Sequence, residues 1–167
     1  MDDKKLQDLW DIEEVKKVQY AYTYYIDSMN LEGVMSLFTD DAIGEFNVVD
    51  GGEPKGLDGI RQFMEGATAG GWMAHQMISP YIVLDDSKAS CMFYLTYFRI
   101  SPPEAPPGQL TWMQGWYNNE CVKVGGEWKI KHLRFTAQAS GTISGALLPQ
   151  PWGTFEFPPP FAFRPPK

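Results

Sequence analysis

Between residues 9 and 29, "LWDIEEVKKVQYAYTYYIDSM", apolar side chains return at steps of three and four: Ile12, Val15, Val18, Tyr22, Tyr25, Ile26 and Met29. That period is a helix with one face turned to a core. In its second half Tyr20, Tyr22, Tyr24, Tyr25 and Ile26 surround the axis almost completely. A helix apolar on every side is buried on every side, so the end carrying Asp27 is expected to run inside the domain, between two surfaces. Asn30 suits an N-cap for a short helix, "LEGVMSLF". "DDAIGEFNVV" reads as a first strand and "DGGEP" as a turn. "GLDGIRQFMEGA" is a third helix with Asp58 as its cap and Ile60, Phe63 and Met64 on one face.

After residue 70 the period changes. "MAHQMISPYIVLDD", "KASCMFYLTYFRIS", "QLTWMQGWYNNECVKV" and "EWKIKHLRFTAQAS" are four strand-like runs, joined by "DDS", "PPEAPPG" and "GGE". Short connections make antiparallel neighbours. Helices first and a meander afterwards is an α+β plan, a curved sheet wrapped over three N-terminal helices. Residues 1–140 form that domain. Residues 141–167 are a Pro- and aromatic-rich extension in which proline forbids a central strand or helix interior. Its aromatics predict that it packs on a pocket mouth or a neighbouring subunit.

Composition narrows the function. With 44% hydrophobic and 21% charged residues the chain is globular. A net charge of -7 excludes the basic surface that nucleic acid or an anionic membrane requires. No run approaches the ~18 apolar residues of a membrane span, and "MDDKKLQDLWDIEEV" has no signal-peptide core, so residence in the cytoplasm is expected. Cys91 and Cys121 have no ligand spacing and read as reduced, packed thiols. His75 and His132 lie 57 positions apart with no acidic cluster on a shared face, which argues against a metal. No glycine-rich loop offers a phosphate cradle. No cofactor is expected.

His75 raises the question of chemistry, because it is a titratable imidazole among Trp72, Met73, Met77 and Ile78. It is either a satisfied core histidine or a proton-transfer residue on the wall of an apolar pocket. Asp27 has two readings as well: a cap for the following short helix, or a carboxylate buried among tyrosines and in need of a partner.

The order of pieces resembles a known family. A long aromatic helix ends in Asp27, "LFTDDAIGEF" enters the first strand, "GLDGIRQFM" follows, a histidine opens the next strand, and "GEWKIKHLRF" carries Trp128 into the last. Together these resemble the SnoaL-like branch of the nuclear transport factor 2-like superfamily, which includes scytalone dehydratase, hexachlorocyclohexane dehydrochlorinase and bile-acid 7α-dehydratase. The resemblance implies a cone-shaped barrel of strongly curved, mixed, mostly antiparallel sheet whose open end holds the ligand. It implies a catalytic His75–Asp27 pair, with Tyr22 five positions before the aspartate and a basic residue from the last strand, His132 or Arg134. Trp128 and Ile130 share the parity of both; a bulge would instead turn Lys131 and Leu133 inward. "FYLTYF" offers Tyr94 or Tyr97 as a hydroxyl donor.

A carboxylate on one imidazole nitrogen fixes the tautomer and steadies the imidazolium that forms when the other takes a proton. The expected lining, Tyr97, Trp72, Met77, Phe93, Trp112 and Trp116 with Met73 and Met113, suits a hydrophobic ligand, aromatic or polycyclic. The leading expectation is therefore a cofactor-independent lyase or isomerase performing a dehydratase-like elimination or double-bond shift. The alternative is a non-catalytic protein of the same fold that binds a hydrophobic ligand; a scaffold domain is a third reading. Family resemblance and an aromatic-rich sheet face predict a homo-oligomer, dimer or trimer.

Overall fold

The alternation in the second half of the chain becomes four long antiparallel strands. The computed structural model describes residues 3–46, 53–68, 72–100 and 109–143. Its elements are α1 (Asp3–Asp27), α2 (Leu31–Ser36), β1 (Phe38–Phe46), α3 (Gly56–Thr68), β2 (Trp72–Asp85), β3 (Lys88–Ile100), β4 (Leu110–Val124) and β5 (Glu127–Ile143). The strands form one sheet in the order β1-β5-β4-β3-β2. β1 runs parallel to β5 and every other pair is antiparallel. The fold is α+β, as the pattern required, with the mixed, mostly antiparallel sheet that the resemblance implied. The expected C-terminal extension lies, beyond Ile143, outside the described residues.

The sheet curls around α1, which touches both β2 and β5 although two strands separate them. Bulges supply the bending, since an extra residue on one strand kinks it and increases its twist. In β2 the register slips between Ile78 and Tyr81, where Ser79 adopts a φ of 55°. In β5 it slips twice, once on each side of the stretch facing Gly115 to Glu120. β1 and β2 remain edges, so the cone is open rather than a closed barrel.

On β3 the inward positions Ala89, Cys91, Phe93, Leu95 and Tyr97 are buried, while Met92 and Tyr94 are exposed on the outer face. The stripe that α1 buries against them is Asp11, Val15, Gln19, Tyr22, Thr23 and Ile26. Burial all round α1 is not what forms: Tyr24 is 73% exposed. The sheet covers one side of the helix and α2 part of another, where Tyr25 lies against Gly33. The remaining side leaves a phenol at the water boundary, where its amphipathic ring is stable. Two polar residues sit inside the stripe because their groups are satisfied. Asp11 accepts from Lys123 Nζ at 2.6 Å and Trp128 Nε1 at 2.9 Å. Gln19 Oε1 accepts from Asn119 Nδ2 at 2.6 Å.

Candidate active site

Asn30 caps α2, its Oδ1 accepting from Gly33 N at 2.9 Å. The cap role is thereby filled, and the Asp27 carboxylate turns elsewhere. Asp27 Oδ2 accepts from the His75 backbone N at 2.8 Å, and Oδ1 lies 2.5 Å from His75 Nδ1. The last turn of α1 and the start of β2 are therefore joined by two bonds to one carboxylate. Both side chains are mostly covered, with 11% of His75 and 18% of Asp27 exposed. Because both carboxylate oxygens are acceptors, Nδ1 carries a proton and Nε2 is the ring nitrogen left for a ligand.

His75 lines a cavity of about 170 Å³ between α1, α3 and the concave face of the sheet. The walls are Tyr22, Ile26, Phe46, Phe63, Met64, Ala67, Thr68, Met73, Leu95, Tyr97, Arg99, Met113, Tyr117 and Phe135. A void of that size holds roughly one six-membered ring with a small substituent. The His75 and Tyr97 rings lie 4.6 Å apart, a consequence of their direct pairing across β2 and β3. Burial raises the Tyr97 phenol above its ordinary range and Asp27 adds to this, while Arg99 opposes it by charge and a hydrogen bond. Burial likewise pushes Tyr22 and Tyr117 well up. All three hydroxyls stay protonated at neutral pH and can donate. Tyr22 packs edge-on against Tyr117 at 6.0 Å and reaches Met64 Sδ at 4.0 Å.

Of the predicted site residues, the structure brings together His75, Asp27, Tyr22 and Tyr97. His132 and Arg134 do not line the cavity. The β4–β5 register passes from Cys121↔Ile130 to Glu120↔His132, so Lys131 is an extra residue and the parity set by Trp128 reverses. Leu133 and Phe135 then face inward and are buried. On the other face Arg134 Nε donates to Glu45 Oε2 at 2.7 Å, and Arg134 Nη2 to His132 Nδ1 at 3.2 Å. His132 Nε2 comes within 3.3 Å of Glu45 Oε2 but makes no hydrogen bond.

The lining is also corrected by parity. Trp72 and Tyr94 are half exposed, and Trp112 and Trp116 pair with the outward Phe98 and Tyr94, so all four belong to the convex side. Phe93 and Met77 face inward but are core residues; Phe93 packs on Tyr20. The residues missing from the sequence reading are Arg99, Tyr117, Phe46, Phe63 and Phe135. Arg99 shares the parity of Tyr97, a signal the sequence does carry. Phe46 and Phe63 meet from distant segments as a stacked pair with centroids 4.2 Å apart, which no local pattern announces.

A larger groove, about 750 Å³, lies away from the dyad between α2, β1 and the ends of β4 and β5. Its acids Asp40 and Asp41 are exposed and Asp41 pairs with Lys131, so it holds no buried acid–base pair. Among the described residues no three His, Cys, Asp or Glu side chains group as metal ligands, and no helix is long and apolar enough to cross a membrane.

The SnoaL-like domain profile matches residues 7–134, most of the chain and every residue named on the cavity wall except Phe135. The chain belongs to the SnoaL-like family. The solved structures agree on the fold. A hexachlorocyclohexane dehydrochlorinase from Novosphingobium barchaimii superposes with a TM-score of 0.77 at 15% identity, over 88% of this chain and 99% of that one. A Novosphingobium aromaticivorans protein assigned to scytalone dehydratase gives 0.72 at 20% identity, over 84% and 91%. None of the curated proteins matches the sequence.

Proposed function

We propose that this SnoaL-like protein is a cofactor-independent lyase or isomerase that acts on a hydrophobic small molecule by His75–Asp27 acid–base chemistry. One observation carries the reading: an imidazole anchored through Nδ1 by a carboxylate, on the wall of a cavity lined mostly by apolar side chains. His75 Nε2 takes a proton from substrate carbon. The Nδ1–H bond to Asp27 holds the ring and stabilises the imidazolium. That imidazolium, or a neighbouring phenol, returns the proton to the departing group or to the rearranged carbon skeleton. Tyr22 and Tyr97, both kept protonated, donate to oxygen developing negative charge. Arg134 and His132 take no part.

Family membership supports this reading, and relatives of the same fold named as a dehydrochlorinase and assigned to scytalone dehydratase add the precedent of elimination. The test is a panel of one-ring alcohols and halides bearing an acidic carbon proton. His75→Ala should cost at least about 100-fold in turnover while its thermal melting stays close to wild type. Undiminished turnover in a folded His75→Ala protein removes the proposal, and tight binding without turnover leaves a ligand-binding protein instead.

A further inference from the structure

Tyr97 and Arg99 stand two positions apart on β3, so their side chains leave the same face of the strand. Both line the cavity. The Arg99 guanidinium donates to the Tyr97 hydroxyl, which makes Arg99 an engaged side chain and not an open cation. On the other side of the phenol, at the same level of the wall, stands His75. It pairs with Tyr97 across β2 and β3, and the two rings lie 4.6 Å apart. The titratable groups around Tyr97 are Asp27 and His75, which bond each other, the phenols of Tyr22 and Tyr117, and Arg99 itself.

Where the phenol proton points follows from donors and acceptors. A guanidinium has five N–H donors and no acceptor, so the Tyr97 oxygen takes the bond on a lone pair and cannot turn its own proton towards Arg99. Tyr97 is buried, and the space left to that proton is the cavity, where the His75 Nε2 also opens. A bond from a cation is charge-assisted and strengthens the hydroxyl as a donor. The same positive charge opposes the burial that raises the phenol. We infer that Arg99 is a positioning residue: its bond to the Tyr97 oxygen locks that hydroxyl as a donor aimed at an oxygen of the ligand held against His75. Arg99 acts on the ligand through Tyr97. This deepens the acid–base reading and rests on it for the chemistry, while the bond between the two side chains is open to a test of its own.

The probe is 3-fluorotyrosine incorporated at position 97, a phenol more acidic than tyrosine whose fluorine NMR shift follows its ionisation. Arg99→Met should raise the midpoint of that titration by about one pH unit or more. Arg99→Lys, which keeps the charge without the fork, should give a smaller rise. Thermal melting checks the fold of both variants, and Arg99→Lys carries the comparison if Arg99→Met does not fold. A midpoint that the substitutions leave in place or lower, or a phenol that ionises in none of the proteins, overturns the inference. Turnover of any alcohol or halide that proves a substrate supplies the second readout, as a double-mutant cycle. Tyr97→Phe alone and Tyr97→Phe with Arg99→Met should lose turnover alike, within about threefold. Losses that multiply would make Arg99 an independent group and overturn the positioning role. A midpoint that answers to Arg99 in a protein without turnover discards the lyase or isomerase and keeps the bond; an unmoved midpoint in an active enzyme does the reverse.

Discussion

Replacing Asp27 by Asn interrogates the dyad without needing a substrate. The carboxylate accepts two protons from one residue, the His75 backbone N–H at 2.8 Å and the ring Nδ1–H at 2.5 Å. An asparagine has the same shape but one acceptor and one donor group. The backbone N–H cannot change its role, so it keeps the amide oxygen. The amide NH₂ then faces Nδ1, and a donor facing a donor would leave both unsatisfied. Moving the ring proton to Nε2 relieves the conflict. His75 should therefore switch tautomer in Asp27→Asn and present N–H, not a lone pair, to the cavity. Two charge-assisted bonds are exchanged for neutral ones, a loss of about 1 kcal/mol each and about 2 kcal/mol together, which lowers the melting temperature of a chain this size by roughly 4–8 °C. The cost to base catalysis is far larger, since the wrong tautomer presents no acceptor; about 10⁴-fold is the scale set by serine proteases. Two-bond ¹H–¹⁵N correlations report which ring nitrogen is protonated, recorded at a pH where the neutral rings dominate. The chain has only two histidines, and His132→Gln assigns them. His132 is an internal reference: its Nδ1 accepts from the Arg134 guanidinium, so its proton lies on Nε2. Wild type should show opposite tautomers, and Asp27→Asn should show two alike. An unchanged Nδ1–H on His75 in that variant would refute the reasoning.

Three further outcomes can be measured. A Cβ on Gly115 would lie 2.0 Å from the Thr136 carbonyl oxygen and 2.9 Å from Ala137 Cα, both backbone, so Gly115→Ala should destabilise by about 3 kcal/mol or more in urea unfolding; a cost below 1 kcal/mol, about the size of a surface change, would contradict the β4–β5 packing. Burial raises the Asp11 carboxyl, but the bonds from Lys123, Trp128 and Gln7 outweigh it and hold it below the ordinary carboxylate range. A depressed carboxylate stabilises the fold above its unfolded value, about 3.9, and that stability is lost as pH falls through the folded value; Asp11→Asn should flatten the fall in stability below about pH 4, and an unaltered acid profile would count against the network. The convex face exposes Ile78, Tyr81, Met92 and Tyr94 on neighbouring strands; if it is the contact of a homo-oligomer, Tyr94→Lys should convert a dimer or trimer to monomer in sedimentation velocity, and a wild-type protein that sediments as monomer would dispose of the idea.

Fold and dyad were legible in the sequence for different reasons. The strands announce themselves because one face of each is buried, and β3 alternates cleanly from Lys88 to Tyr97. The dyad was legible through family order, since nothing local says that Asp27 reaches a residue 48 positions away. The stripe of α1 was misjudged where polar residues are buried in matched sets. Asp11 and Gln19 look like solvent positions until Trp128, Lys123 and Asn119 arrive from the far end of the chain to satisfy them. Tyr24 erred the other way, as an aromatic side chain whose hydroxyl makes an exposed site tolerable. The aromatic lining failed on strand parity: Trp112 and Trp116 are apolar enough for a pocket, yet they stand on the convex side.

The extra residue in β5 decides which side chains face the cavity. With an uninterrupted strand, the inward positions Trp128 and Ile130 would be followed by His132 and Arg134, putting an imidazole into the core and a guanidinium at the cavity wall. With the bulge, Leu133 and Phe135 take those places. The shift is held by a side chain rather than by the ladder alone. Asn119, fully buried, accepts from the Arg134 backbone N at 3.0 Å through Oδ1 and gives its amide proton to Gln19 Oε1 at 2.6 Å. A glutamine in the middle of α1 is therefore bonded to the asparagine that holds the register of β5. Helix α1 contributes Asp27 to the dyad at its end and, through Gln19, helps to keep competing cations out of the cavity. Among the described residues the one cation lining the cavity is Arg99, on β3, whose pairing with β4 is free of bulges. Selectivity of the site follows from register as much as from residue type, because a single residue gained or lost in β5 would exchange Phe135 for Arg134 at the wall.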